Sequence, residues 1–230
     1  GLIAAVTATP GRGFYTTPMD VVLNCPTPGV TLVYTTNGSV PSITNGLVYT
    51  GPIRLEATTP LRAVEVRDSW RSSAVITHSY IFTRDVVQQT QTKALQAGFP
   101  ANWVGATADY GMDSRVVGAN GTDAYGGKYA RTIESDLKSL PSMSLVIPNA
   151  DMFGPQGIYS NPLEHGSAWE RATSVEWILP DGSEGFQVDA GIRIQGGAFR
   201  RFDLSLKKSF RVVFRDQYGL PRLQYPLFGA

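Results

Sequence analysis

GFQVDAGIRIQGGAFRRFDLSLKKSFRVVFR, residues 185–215, decides the fold of the second half of this chain. From Phe186 to Ile194, Phe186, Val188, Ala190, Ile192 and Ile194 alternate with Gln187, Asp189, Gly191 and Arg193. From Ser209 to Arg215, Phe210, Val212 and Phe214 alternate with Ser209, Arg211, Val213 and Arg215. Period-two alternation over such lengths marks strands with one buried face. Gly196-Gly197 ends the first strand, because glycine bends where a side chain would clash. If the strands are regular and pair, Arg193, Lys207, Ser209 and Arg211 project from one face. Val188, Ile192, Phe210, Val212 and Phe214 then form the core on the other. Lys208 has the opposite parity, so it is expected to start its strand in a bulge or to snorkel past apolar neighbours.

Charge is distributed unevenly around this stretch. Between Arg193 and Arg222 there are eight Lys or Arg against Asp203 and Asp216, a net +6. The whole chain carries +1, so the remainder carries −5. Much of that lies just upstream, in Glu164, Glu170, Glu176, Asp181, Glu184 and Asp189 against Arg171 alone. Two readings follow. The acidic and basic strands pair with each other across a surface, which contributes little, or the basic face binds phosphate. In the first case Arg193 and Arg211 are engaged by carboxylates such as Glu176 or Asp189. In the second the face is open and an anion sits near Lys207.

Length and composition set the bounds. The 230 residues suffice for one large or two ordinary domains. Gly 24 and Pro 15, with many Thr, Val and Tyr, point to β structure with frequent turns. The near-neutral total argues against a general nucleic-acid binder. A single cysteine, Cys25, excludes an intrachain disulfide, and its strand parity with Val21 and Leu23 predicts a buried, inert thiol. No apolar run reaches membrane-spanning length. Gly1-Leu-Ile-Ala-Ala lacks the charged lead of a signal peptide, so the chain is expected to be a mature protein or a piece of a longer one.

The first 84 residues read as an all-β unit. Candidate strands are 4–8, 19–25, 31–35, 52–55, 61–67 and 74–82, separated by Pro10-Gly11, Pro28-Gly29, Asn37-Gly38, Gly51-Pro52 and Asp68-Ser69. Short strands at this spacing suggest a small sandwich. The segments TPGRGFYTTPMDVVLNCPTPGVTLVYTTNGSVPS, VYTGPIRLEATTPLRAVEVRD and VITHSYIF resemble the fibronectin-III-like domain at the C-terminus of chitobiase-type hexosaminidases. That resemblance covers about the first third of the chain and implies fold rather than chemistry. Trp70, following Asp68-Ser69 in an expected hairpin tip, either packs on a neighbouring domain or stacks on a sugar ring. Asn37-Gly38-Ser39 and Asn120-Gly121-Thr122 match the glycosylation sequon, a tripeptide frequent in Gly-rich turns.

Residues 85–127 read as linker and irregular lead-in, with Asp113 capping a short helix over 114–117. Phe99, Trp103 and Tyr110 are placed to pin this segment to the next domain. A second helix is expected over 132–140, stopped by Pro141, and a β-rich domain follows.

Chemistry is harder to find. The two His and one Cys are too far apart for metal-ligand spacing, and no Ser/His/Asp arrangement or phosphate loop is present. Glu170, Glu176 and Glu184 could be imagined as glycosidase carboxylates, but acids along a strand are usually a solvated face. One constellation is more specific. SMSLVIPNADMFG, GIYSNPLEHGSAWERATSVEWILPDGSEGFQVDAGIRIQGG, KKSFRVVFRDQYG and LQYPLFG occur in order. Over residues 109–228 they resemble the start of the CotH family of spore-coat-type atypical kinases. The resemblance implies a kinase-like fold that binds ATP and phosphorylates protein, with Lys207 at the family's phosphate-partner lysine. The loop around Gln195-Gly196-Gly197 departs from many members. The family's metal-binding and catalytic acids come after LFG, so this chain alone is expected not to catalyse.

The expected fold is mainly β. A fibronectin-III-like β-sandwich (1–84) is followed by the linker and by an incomplete, mainly β kinase-like lobe with one or two short helices (128–230). The expected function is part of an exported or surface-located bacterial protein whose parent resembles an ATP-dependent protein kinase. The alternative is a non-catalytic carbohydrate-binding or adhesion module. Lys207, Arg193 and Arg211 are the candidate nucleotide-binding residues and Trp70 the candidate carbohydrate contact, with no catalytic or metal-ligating residue assigned. ATP with Mg is expected as cofactor of the complete parent and none for this chain alone. Expected partners are the rest of the parent polypeptide, and a protein substrate or polysaccharide, with no nucleic acid and no membrane insertion.

Overall fold

The computed structural model describes residues 5–67, 72–118 and 123–227; Trp70, Asn120 and Phe228 lie outside them. Eight strands precede residue 83: β1 (Thr7–Thr9), β2 (Gly13–Tyr15), β3 (Met19–Asn24), β4 (Thr31–Thr35), β5 (Leu47–Val48), β6 (Ile53–Leu55), β7 (Thr59–Val66) and β8 (Ile76–Phe82). They form a three-stranded sheet, β1-β3-β6, and a five-stranded sheet, β2-β8-β7-β4-β5. Strand β3 shows why: Val21 and Leu23 are buried while Asp20, Val22 and Asn24 are exposed. Val6, Val21, Leu23, Ile53 and Leu55 meet Leu61, Ala63, Tyr80 and Phe82 in one core between the sheets. Each large aliphatic side chain buried there contributes roughly 1.5–3 kcal/mol. This is a β-sandwich.

Strand β7 is central and covered on both sides, so Arg62 and Val64 are buried as well as Leu61 and Ala63. Alternation cannot be seen in such a strand, because both parities face protein. Cys25 lies just past β3, half-buried, and its thiol donates to the Thr27 carbonyl at 3.4 Å. Burial, and then the Glu65 carboxyl, push that thiol's pKa up. Asn37 Oδ1 accepts from the Ser39 N–H at 3.1 Å and hydroxyl at 2.6 Å, which closes the turn after β4.

The remaining elements are α1 (Thr83–Val87), α2 (Gln91–Gln96), β9 (Asn102–Trp103), β10 (Ala106–Thr107), α3 (Ser114–Val117), α4 (Ile133–Asp136), β11 (Ser142–Val146), α5 (Asn149–Phe153), β12 (Arg171–Ile178), β13 (Phe186–Gln195) and β14 (Ser209–Val213). Asp113 caps α3, accepting from the Arg115 N–H at 2.9 Å. The helix expected over 132–140 is shorter. Residues 133–136 are α-helical, and the chain then tightens through Lys138 N–H to Ser135 O and Ser139 N–H to Asp136 O. Its residues 134–136 are all exposed, so no buried face sustains it.

Strands β11 to β14 form a second sheet system in the order β11-β12-β13-β14. The chain divides into two compact units. One comprises residues 1–88, 112–144 and 176–187, the other 89–111, 145–175 and 188–230. In the second unit Trp103, Ala108, Ile158, Tyr159, Ile192 and Ile194 form the core. Phe99, Trp103 and Tyr110 do pin the irregular segment. Trp103 lies edge-on to Tyr110 at 5.1 Å and to Tyr159 at 5.2 Å, and its indole N–H donates to the Tyr110 hydroxyl at 2.9 Å.

Candidate functional site

Strands β13 and β14 pair antiparallel with Ile192 opposite Val212, Arg193 opposite Arg211 and Ile194 opposite Phe210. The alternation therefore places Ile192, Ile194 and Phe210 in the core and turns Arg193 and Arg211 to the other face. Gly191, opposite Val213, has a steric reason to be glycine: a Cβ there would run into the Tyr218 ring. Strand β14 stops at Val213, and the Tyr218 and Gly219 N–H groups turn back onto the Arg215 carbonyl.

Glu170 organises this face. Its side chain has no solvent exposure. Arg215 grips it through two bonds of 3.1 Å, from Nε to Oε2 and Nη2 to Oε1, and Arg193 Nη1 lies 3.3 Å from Oε1. The bidentate fork is the geometry that guanidinium forms best with carboxylate. Arg193 keeps 21% of its side-chain exposure. Arg211 is exposed and forms no ion pair with a described residue. One buried carboxylate thus answers two guanidiniums, and the group of Arg193, Arg211, Arg215 and Glu170 retains a formal +2.

The two adjacent lysines have different fates. Lys207 precedes the strand, is 67% exposed, and pairs with Asp109 at 3.2 Å; an ion pair so exposed contributes little. Lys208 is buried to 8%. Its ammonium sits 3.9 Å from the Phe202 ring centroid and donates to the Phe199 and Ser205 carbonyls. Burial lowers its pKa. Its parity is inward as expected, but the ammonium is held by backbone carbonyls instead of snorkelling into water.

Arg200 is structural in a similar way. It donates to the carbonyls of Gly196 (2.7 Å), Pro162 (3.0 Å), Glu164 (2.7 Å) and Ile194 (2.5 Å). Of the eight basic residues in this stretch, Arg200 and Lys208 brace the backbone, Arg193 and Arg215 hold Glu170, Arg201 and Lys207 pair with Asp203 and Asp109, and Arg211 and Arg222 form no ion pair with a described residue.

A second buried polar cluster lies in the first unit. Glu176 is fully buried. It accepts from the Ser79 N–H at 3.0 Å and hydroxyl at 2.5 Å, and Arg12 Nε lies 3.2 Å away. Ser144 is 2.7 Å from the Ser79 hydroxyl. Burial pushes the Glu176 pKa up, and its hydrogen bonds and Arg12 oppose that. His78 turns to the other face of β8, where its Nδ1 accepts the Arg12 N–H at 2.9 Å. Burial, then the Arg12 charge, lower its pKa to about 4.

Sequence reasoning counted Glu170 and Glu176 among surface acids. Nothing local signals this: Ser174, Val175, Glu176 and Trp177 alternate polar with apolar as a half-wet strand does, yet residues 173–176 are all buried, and Glu170 lies just before the strand. Among the described residues no group of three or more His, Cys, Asp and Glu could hold a metal ion. No described helix is long and apolar enough to cross a membrane.

Residues 10–77 match the family model of the chitobiase/beta-hexosaminidase C-terminal domain. The match covers most of the sandwich, from after β1 to the start of β8, and stops well short of the basic strands. No curated protein and no solved structure matches the chain.

Proposed function

We propose that this chain belongs to an exported or surface-located bacterial protein in which the sandwich accompanies part of a CotH-like, ATP-dependent kinase domain. Strands β13 and β14 supply a phosphate-facing surface of that domain. The domain match at residues 10–77 supports the location. The ordered motifs from SMSL to LFG support the kinase-like reading.

The observation that carries it is the Arg193–Arg211 cross-strand pair. Like charges directly opposite on a sheet repel and are destabilising. Glu170 is already shared with Arg215, so it cannot cancel both. A triphosphate placed over the pair would offset the repulsion and accept from Arg211, with Lys207 as a mobile cation at the edge. Glu170 orients Arg193 and keeps its charge at the surface. In the complete parent, Mg with ATP would supply the reactive phosphoryl group, and a protein hydroxyl would receive it.

Isothermal titration of the chain with ATP tests this. The expected result is weak binding that weakens further with salt and falls about tenfold in Arg211→Ala. Equal binding of ATP by wild type and Arg211→Ala would place the nucleotide elsewhere. Binding of neutral oligosaccharide without ATP binding would favour the adhesion reading.

A further inference from the structure

Strands β9 and β10 pair as a hairpin, Trp103 opposite Ala106, leaving Val104-Gly105 as a two-residue turn. Both turn residues have positive φ, 45° at Val104 and 86° at Gly105. Such turns favour Asn, Asp or Gly at the first position, and a β-branched residue there is strained. Val104 is moreover 57% exposed, so little packing in the fold offsets the strain. Strain of this kind, held with little local compensation, gathers where a chain binds something.

Val104 lines a cleft of about 490 Å³ in the second unit, with Pro162, Leu163 and Phe202 as its other apolar walls. Leu163 is 58% exposed. The walls are braced. Arg200 holds the Pro162 and Glu164 carbonyls, Asn161 Nδ2 donates to Pro155 and Gly157 carbonyls, and the Ser160 hydroxyl donates to the Phe153 carbonyl. The exposed apolar residues Val104 and Leu163 are aliphatic. The one aromatic ring, Phe202, is already occupied by Lys208 and Tyr159. Sugars stack on free aromatic faces, so this lining suits an aliphatic side chain. At the rim, Arg201 is neutralised by Asp203 at 2.5 Å, which leaves the Glu164 charge.

We infer that the cleft bounded by Val104, Leu163 and Phe202 is a docking site for a peptide segment that inserts an aliphatic side chain flanked by a basic residue. The aliphatic group covers Val104 and Leu163, and the flanking cation meets Glu164. The inference is independent of the nucleotide reading, because none of these residues belongs to the Arg193–Arg211 face.

The test is an amide NMR titration of the chain with the blocked tetrapeptide KLLK, beside ELLE and KSSK, in wild type and Val104→Asn. Asparagine suits the turn, so the variant is expected to be at least as stable as wild type to urea. Its KLLK affinity is nevertheless expected to fall about tenfold, for loss of an apolar contact. In wild type the amides of Gly105, Asn161 and Leu163 should move saturably with KLLK, less with ELLE and not with KSSK. Undiminished KLLK binding by Val104→Asn overturns the proposal, as does equal binding of KSSK. The same shifts on concentrating the protein without peptide would make a second copy the occupant and overturn it too.

Discussion

The Ser79 hydroxyl lies 2.5 Å from Oε2 of Glu176, a carboxylate to which solvent has no access. A buried acid survives only if donors replace the water it has lost. Ser79 supplies two and Arg12 a charge at 3.2 Å, although the Arg12 Nε–H is not aligned as a hydrogen bond. Glu176→Ala would leave the Arg12 charge and the Ser79 N–H without their partner. The expected loss is about 3–5 kcal/mol in urea unfolding. Glu176→Gln, which retains an acceptor, should cost about 1–2 kcal/mol. Equal losses for the two variants would show that cavity formation, rather than polar satisfaction, governs the site.

His78 makes the sandwich sensitive to acid. Its folded pKa of about 4 lies below the ordinary 6.5, so the unfolded chain binds the proton more readily between those values. Its contribution is complete above about pH 6.5 and is lost as pH falls toward 4, by up to about 3 kcal/mol. Glu176, shifted upward by burial, acts in the opposite sense: its contribution is greatest below its ordinary value of 4.5 and declines as pH rises through the folded one. The Glu176→Gln background isolates the histidine. Urea midpoints there should fall between pH 6.5 and 4.5, and His78→Gln should flatten that slope. A slope unchanged by His78→Gln would assign the acid sensitivity to another group.

The sandwich was largely legible because its strands have one wet face. Strand β4 coincides with residues 31–35, and β3 keeps the expected start at Met19. Strands β2 and β5 were not anticipated. They are two or three residues long, too short for any period to register. The face of Arg193 and Arg211 was legible for the same reason as β3. The role of Glu170 was not, because its partners Arg193 and Arg215 lie 23 and 45 residues away in sequence and only folding brings them together.

Arg200 tests how far one side chain can hold irregular backbone. Four carbonyls accept from it, and burial lowers its pKa without displacing the charge from its acceptors. Arg200→Met preserves much of the volume but none of the donors, and about 3 kcal/mol should be lost. Hydrogen exchange should rise at residues 160–164 and 196–202 together. Protection unchanged in one of these segments would mean that Arg200 does not join them.

The central claim, that Arg193 and Arg211 form an anion-binding pair, is tested most directly by observing the guanidinium Nε–H resonances during ATP titration. The signals of Arg193 and Arg211 should shift saturably, and that of buried Arg200 should stay in place. Movement confined to Arg201 or Arg222, or no movement at ATP concentrations where phosphate contacts form, would contradict the account.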